Sequence, residues 1–180
     1  MSKLAKSDMT PRAPLDIKLL QERLGYTFQK PDLLMQALTH RSHSKKNNER
    51  LEFLGDSVLN CTVAEMLYER YSDLDEGDLS RVRANLVKQD TLHRLAVELG
   101  LSGLIRLGEG EMRSGGQKRP SILADALEAI IGAVLMDAGY QAAESLVLRL
   151  FEKVAISPTM TAAAKDPKTD LQEWLQARRM

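Results

Sequence analysis

The chain has 180 residues, 43% of them apolar, enough for one domain with a core plus a short appendage. Lysine plus arginine and aspartate plus glutamate balance at 25 each, so the sum shows no basic footprint for nucleic acid, although a carboxylate cluster can hide a basic surface elsewhere. A single cysteine, Cys61, excludes an intrachain disulfide, residues 1–15 are polar, and the longest uncharged apolar run, 129–136, is far too short for a bilayer. The expectation is a soluble, cytoplasmic protein with no membrane partner.

Helical periodicity dominates, and no run of alternating β-branched residues reads as a strand, so the predicted class is all-α. Leu19, Leu20 and Leu24 mark a first helix closing at Gly25. Pro31 opens a second, with Leu33, Leu34 and Leu38 on its apolar side. A long third helix starts at Asn48, a good N-cap residue, and runs to about Tyr71. Residues 77–88 and 90–99 give two more, the second stopped by Gly100. Residues 108–120 read as a polar, glycine-rich loop. Ser121 is expected to cap a strongly apolar helix ending near Ala138 and Gly139, and an amphipathic helix follows over 141–153. Residues 155–168 read as a linker containing Pro158 and Pro167, and 169–178 as helical again.

Two of these helices carry acids where a core is expected. At about 100° per residue, Glu52 and Asp56 share one face of the third helix, with Glu49 a turn earlier. Continuing that face leads to Leu59 and Val63, so the stripe runs into the core. A helix start favours acids electrostatically, which accounts for Glu49 but not for Glu52 and Asp56. The helix from Ser121 is apolar nearly all round, the mark of a buried central helix, yet holds Asp125 and Glu128. A buried, unpaired carboxylate costs several kcal/mol, by the usual order of magnitude, so a partner is required. The helix itself supplies no Lys or Arg between 121 and 136, which favours a cation from outside. All-oxygen ligation suits Mg²⁺ or Mn²⁺, and such a site can serve phosphodiester hydrolysis. The competing reading pairs these acids with Arg50, Arg81 or Arg83 in a structural network.

Glu49-Arg-Leu-Glu-Phe-Leu-Gly-Asp-Ser57 resembles the signature of the ribonuclease III family, and Ser121-Ile-Leu-Ala-Asp-Ala-Leu-Glu-Ala129 resembles its second acidic motif. Thr39-His-Arg-Ser42 and Ser114-Gly-Gly116 are similar to further family stretches. The resemblance covers residues 15–153 and implies the all-α endonuclease-domain fold, dimeric, over 15–154, preceded by a flexible tail at 1–14. It implies hydrolysis of double-stranded RNA by water activated by Mg²⁺, with Mn²⁺ able to substitute, in rRNA and mRNA processing. The ends produced would be 5′-phosphate and 3′-hydroxyl. Asp56 and Glu128 are then catalytic, Glu52, Asp125 and Glu128 hold the metal, and Glu49 and Glu76 are acidic positions around the site. The aromatic matching Phe53 enters a socket on a second subunit in this family; by pattern alone Phe53 is either that plug or a core residue. Residues 169–180, with Trp174, resemble the first helix of a double-stranded-RNA-binding domain.

Weaker signals remain. Arg113, Lys118 and Arg119 can touch RNA phosphates from the glycine-rich loop, or simply belong to a solvated connector. His40 and His43 suit hydrogen bonding near a helix end better than a metal pair. Asp90-Thr-Leu-His93 imitates half of a di-iron motif, but no second copy exists. A protein of this fold that binds RNA without cutting it, and a structural helical bundle or a di-metal redox protein, are the competing functional readings.

Overall fold

The computed structural model describes residues 14–152, with Val154 and Leu175. The expected linker and, apart from Leu175, the start of an RNA-binding domain, Trp174 included, lie outside the described residues, as does the expected tail apart from Pro14, which already belongs to a helix. The elements are α1 (Pro14–Leu24), α2 (Pro31–Ala37), α3 (Glu49–Arg70), α4 (Glu76–Val87), α5 (Gln89–Leu99), α6 (Glu109–Arg113), α7 (Pro120–Ala138) and α8 (Tyr140–Phe151). Short 3₁₀ turns occupy Leu101–Gly103 and Gly116–Lys118. The described residues contain no strand; the nearest thing is one parallel bridge between Thr39 and Arg106.

Helix α7 is the axis of the molecule. Its apolar side chains face every direction, and Leu123, Ala126, Leu127, Ile130, Ile131 and Val134 are all sealed from solvent. Packed around it are α2, α3, α5 and α8. A helix with no polar face can only be stable when surrounded, so the sequence of α7 dictates its place. The amphipathic neighbours then each turn one stripe inward: Leu51, Val58, Leu59 and Val63 from α3, and Leu92, Leu95 and Ala96 from α5. No helix among the described residues is long and apolar enough to cross a membrane.

Several local expectations need correction. Asn48 precedes α3 as expected, but its side chain is buried and does not cap; Asn47 Oδ1 accepts from Glu49 N–H at 3.1 Å instead. Helix α4 begins one residue early because Asp75 accepts from Asp78 N–H at 2.7 Å, a standard N-cap. Ser121 does not cap α7: Arg119 stands at the cap position and Pro120 fills the first turn. The glycine-rich loop is built, not loose. Helix α6 and the Gly116–Lys118 turn are tied by an ion pair from Arg119 Nη1 to Glu111 Oε1 at 2.7 Å.

Candidate active site at the crossing of α3 and α7

The site begins with two glycines. A Cβ on Gly55 of α3 would lie 1.7 Å from the Glu128 carbonyl oxygen, and one on Gly132 of α7 would lie 2.0 Å from that of Leu51. Both positions are helical, where glycine is otherwise unfavourable by about 1 kcal/mol relative to alanine. The absence of a side chain is what lets the two backbones touch. Glu52 and Asp56 flank Gly55 on α3, while Asp125 and Glu128 lie a turn or two before Gly132 on α7. Close approach of the backbones therefore forces the acid-bearing turns together.

Glu52, Asp125 and Glu128 each present a carboxylate oxygen within 4.8 Å of the other two. No other trio of His, Cys, Asp or Glu side chains among the described residues converges in this way. Asp56 stands beside the three, more exposed, with Oδ1 accepting from Asn60 Nδ2 at 2.8 Å. Glu49 is exposed at the head of α3 and holds Arg41 at 3.4 Å and Asn47 at 3.2 Å. Glu76 accepts from Ser80 Oγ at 2.9 Å and is not one of the converging carboxylates.

The electrostatics are those of an uncompensated cluster. Burial pushes the Glu128 carboxyl up to about 8, and the charges of Asp56, Asp125 and Glu52 push the same way with nothing positive opposing them. Burial also raises Glu52, helped by Asp125, Glu49 and Asp56 and opposed by Arg41. Asp125 is raised by burial against the pull of His40 and Arg41. The ion pairs of the described residues end elsewhere: Arg81 pairs with Asp78, and Arg41 with Glu49. A guanidinium network over the three acids, the competing reading of the sequence, is not what the structure contains. His40 and Arg41, which the sequence left without a role toward the acids, act on Asp125, and Arg41 also on Glu52.

Phe53 is 73% exposed on α3, which removes the core reading. Tyr68, on the same helix, is 76% exposed and was not anticipated. In the loop region Arg113 pairs with Glu109 at 3.4 Å in full exposure, and Lys118 is exposed. Arg119 is committed to Glu111, which makes it a brace of the loop before it is anything else. His40 Nδ1 lies 2.8 Å from Ser42 Oγ and His43 Nδ1 lies 3.2 Å from the Leu107 carbonyl oxygen, so both are hydrogen-bonding residues as expected.

Asp137, missed entirely by the sequence reading, is buried near the end of α7. Its carboxylate accepts from Tyr26 Oη at 2.7 Å, Gln29 N–H at 2.7 Å and Lys30 N–H at 2.9 Å, fastening the α1–α2 connection to the central helix. Burial opposes its charge, but these donors and the charge of Lys30 hold it below the usual carboxylate range. Burial and the Asp137 bond together push the Tyr26 hydroxyl up to about 12.

Comparison with known proteins fits this geometry. Residues 30–154 match the model of the family described as Ribonuclease-III-like. The chain is 71% identical over 161 residues to a Ribonuclease 3 from Variovorax paradoxus, covering 89% of this chain and 71% of that protein. A Ribonuclease 3 from Delftia acidovorans is 63% identical over 91% of this chain and 72% of its own length. Among solved structures, the nuclease domain of ribonuclease III from Campylobacter jejuni superposes with a TM-score of 0.74 at 47% identity. That match covers 76% of this chain and 96% of the Campylobacter chain, a structure described for flexibility in the region involved in dimer formation. A Dicer from Giardia superposes with a TM-score of 0.62 at 25% identity, over 79% of this chain and 20% of that one. An all-helical body, two backbones in contact at paired glycines and a carboxylate trio at their crossing thus accompany relatives of one kind, and the chain belongs to the ribonuclease III family.

Proposed function

We propose that this chain is an endonuclease that hydrolyses phosphodiester bonds in double-stranded RNA, using Mg²⁺, or Mn²⁺ in its place, held by Glu52, Asp125 and Glu128. The observation that carries the reading is the convergence of those three carboxylates within 4.8 Å with no ion pair to any of them among the described residues. The donor set fits the ion. It is all oxygen, as a hard cation prefers, and the raised Glu128 reports negative charge that a cation would relieve. When bound, such an ion supplies Lewis-acid stabilisation and an activated water.

The protein's own part is positional and electrostatic. The glycine contact fixes the spacing of Glu52 against Asp125 and Glu128. Asp56, oriented by Asn60, adds charge to the same point and belongs to the catalytic set. Glu49 holds Arg41 at the rim, and Glu76 serves the surroundings of the site. The products are 5′-phosphate and 3′-hydroxyl ends, and rRNA and mRNA precursors are the substrates. Residues 15–154 form the nuclease domain, 155–168 a linker, and 169–180 the start of an RNA-binding domain.

The working unit is a homodimer with Phe53 at the contact, because an exposed aromatic on the helix that carries the acids would otherwise face water. A two-fold interface sets two sites on one duplex, one for each strand. Two experiments test the reading. A plain RNA duplex at low salt is cut with Mg²⁺ and spared with EDTA; cutting at an unchanged rate in EDTA contradicts it. In sedimentation at low micromolar concentration, Phe53→Ala shifts the chain toward monomer, and an unchanged dimer removes Phe53 from the interface.

A further inference from the structure

The segment that supplies His40 and Arg41 also borders an open polar cleft of about 380 Å³, lined by Asp32, Gln36, Thr39, His43, Lys46 and Arg106 among others. Its guanidinium is held in place from two sides. His43 Nδ1 faces the Leu107 carbonyl, which can only accept, so the proton sits on Nδ1. His43 Nε2 is then an acceptor, and Arg106 Nη2 donates to it at 3.1 Å. Arg106 Nη1 approaches Thr39 Oγ1 at 3.4 Å, and Thr39 spends its own proton on the Met35 carbonyl at 2.6 Å. The Thr39–Arg106 bridge fixes the backbone beneath.

Two of the five guanidinium N–H groups are thus used for orientation, and the others find no protein acceptor among the described residues. Lys46, exposed on the rim, has no ion pair among the described residues, and neither does Asp32. With His43 neutral, two cations face one carboxylate. A pre-oriented guanidinium with spare donors next to a free ammonium is the chemistry of phosphate recognition.

Resting on the reading of this chain as a double-stranded-RNA endonuclease, we propose that Arg106 and Lys46 form a second phosphate site, apart from the carboxylate centre, that grips the RNA backbone. The connection between α2 and α3 links the two: His40 and Arg41 act on Asp125, while His43 and Lys46 line the cleft. A duplex lying over the acids is thereby gripped through the same segment that sets their charge.

The test uses the full chain and a fluorescent RNA duplex. In the Glu128→Gln background, expected to bind without cutting, Lys46→Ala and Arg106→Ala each weaken binding and reduce the slope of log affinity against log salt by about one. Lys46→Arg restores both. With Glu128 intact, Lys46→Ala raises KM and leaves kcat unchanged. Unaltered affinity and salt slope in both alanine variants overturn the cleft proposal alone, provided the parent chain cuts duplex RNA. A parent chain that neither binds nor cuts overturns the nuclease reading and this one with it.

Discussion

Helix α7 carries two contrasting carboxylate regions. Asp137, near its end, leaves less of its surface open to solvent, yet three donors meet it and it ionises more readily than a free aspartate. Glu128, nearer the start, is half-buried, is acted on by other acids, and is pushed by burial and their charges up to about 8. Burial alone therefore does not mark a functional acid. What distinguishes the two is whether the protein has already supplied the compensating charge or donor. Asp137 is satisfied by donors of the chain itself, whereas Glu128 is the acid for which the proposed function calls on a cation from outside.

Breaking each region separates the two roles. The largest expected effect is from Glu128→Gln: no detectable cleavage of duplex RNA, with RNA binding and thermal stability kept, read by a cleavage gel beside a binding titration. Asp137→Ala does the reverse. Removing a charged acceptor orphans the Gln29 and Lys30 N–H groups and costs about 3 kcal/mol. At roughly 2–4 °C per kcal/mol for a chain of this size, calorimetry should show a fall of roughly 6–12 °C. Cleavage below the melting range persists; an inactive but stable Asp137→Ala protein would erase the contrast.

Gly132→Ala comes next. Its Cβ would be driven into the Leu51 carbonyl, so α3 and α7 must part. Overpacking of this kind costs about 1–3 kcal/mol, and the separation should lower cleavage more than it lowers the melting temperature. A fully active Gly132→Ala enzyme would mean that the spacing of the acids is not set at the glycines.

The smallest effect is in pH. Glu128 has a folded value of about 8 against an ordinary 4.5. Between those values the native state holds a proton that the unfolded chain has released, so metal-free stability falls as pH rises through this window. Cation binding displaces that proton, so stabilisation by Mg²⁺ grows across the same range. Melting curves at pH 5.5 and 8, with and without Mg²⁺, should show the larger increment at pH 8; equal increments would count against the site. Asp137 has the opposite sign: its contribution is present above the ordinary aspartate value of 3.8 and is lost as pH falls through its lowered one.

The helices were legible because periodicity is a local property, and α7 announced its central place by lacking a polar face. The four acids were legible as anomalies against that pattern. Which of them converge was not, since a helical wheel gives the face of Asp56 but not the competing hold of Asn60 one turn on. Gly55 and Gly132 escaped notice for a related reason: each looks like an ordinary helix imperfection until the partner backbone is in place. Asp137 is the converse case, an acid at a helix end whose donors, Tyr26, Gln29 and Lys30, lie more than a hundred residues earlier. The glycine-rich loop misled because composition reports freedom, whereas the Glu111–Arg119 pair removes it.

Crystals grown with Mn²⁺ test the central claim most directly, through the metal's anomalous signal. The account predicts a peak bounded by Glu52, Asp125 and Glu128, with ligand oxygens at roughly the 2.0–2.2 Å typical of small hard cations. A crossing that stays empty in Mn²⁺, with each carboxylate drawn onto its own guanidinium, would contradict it.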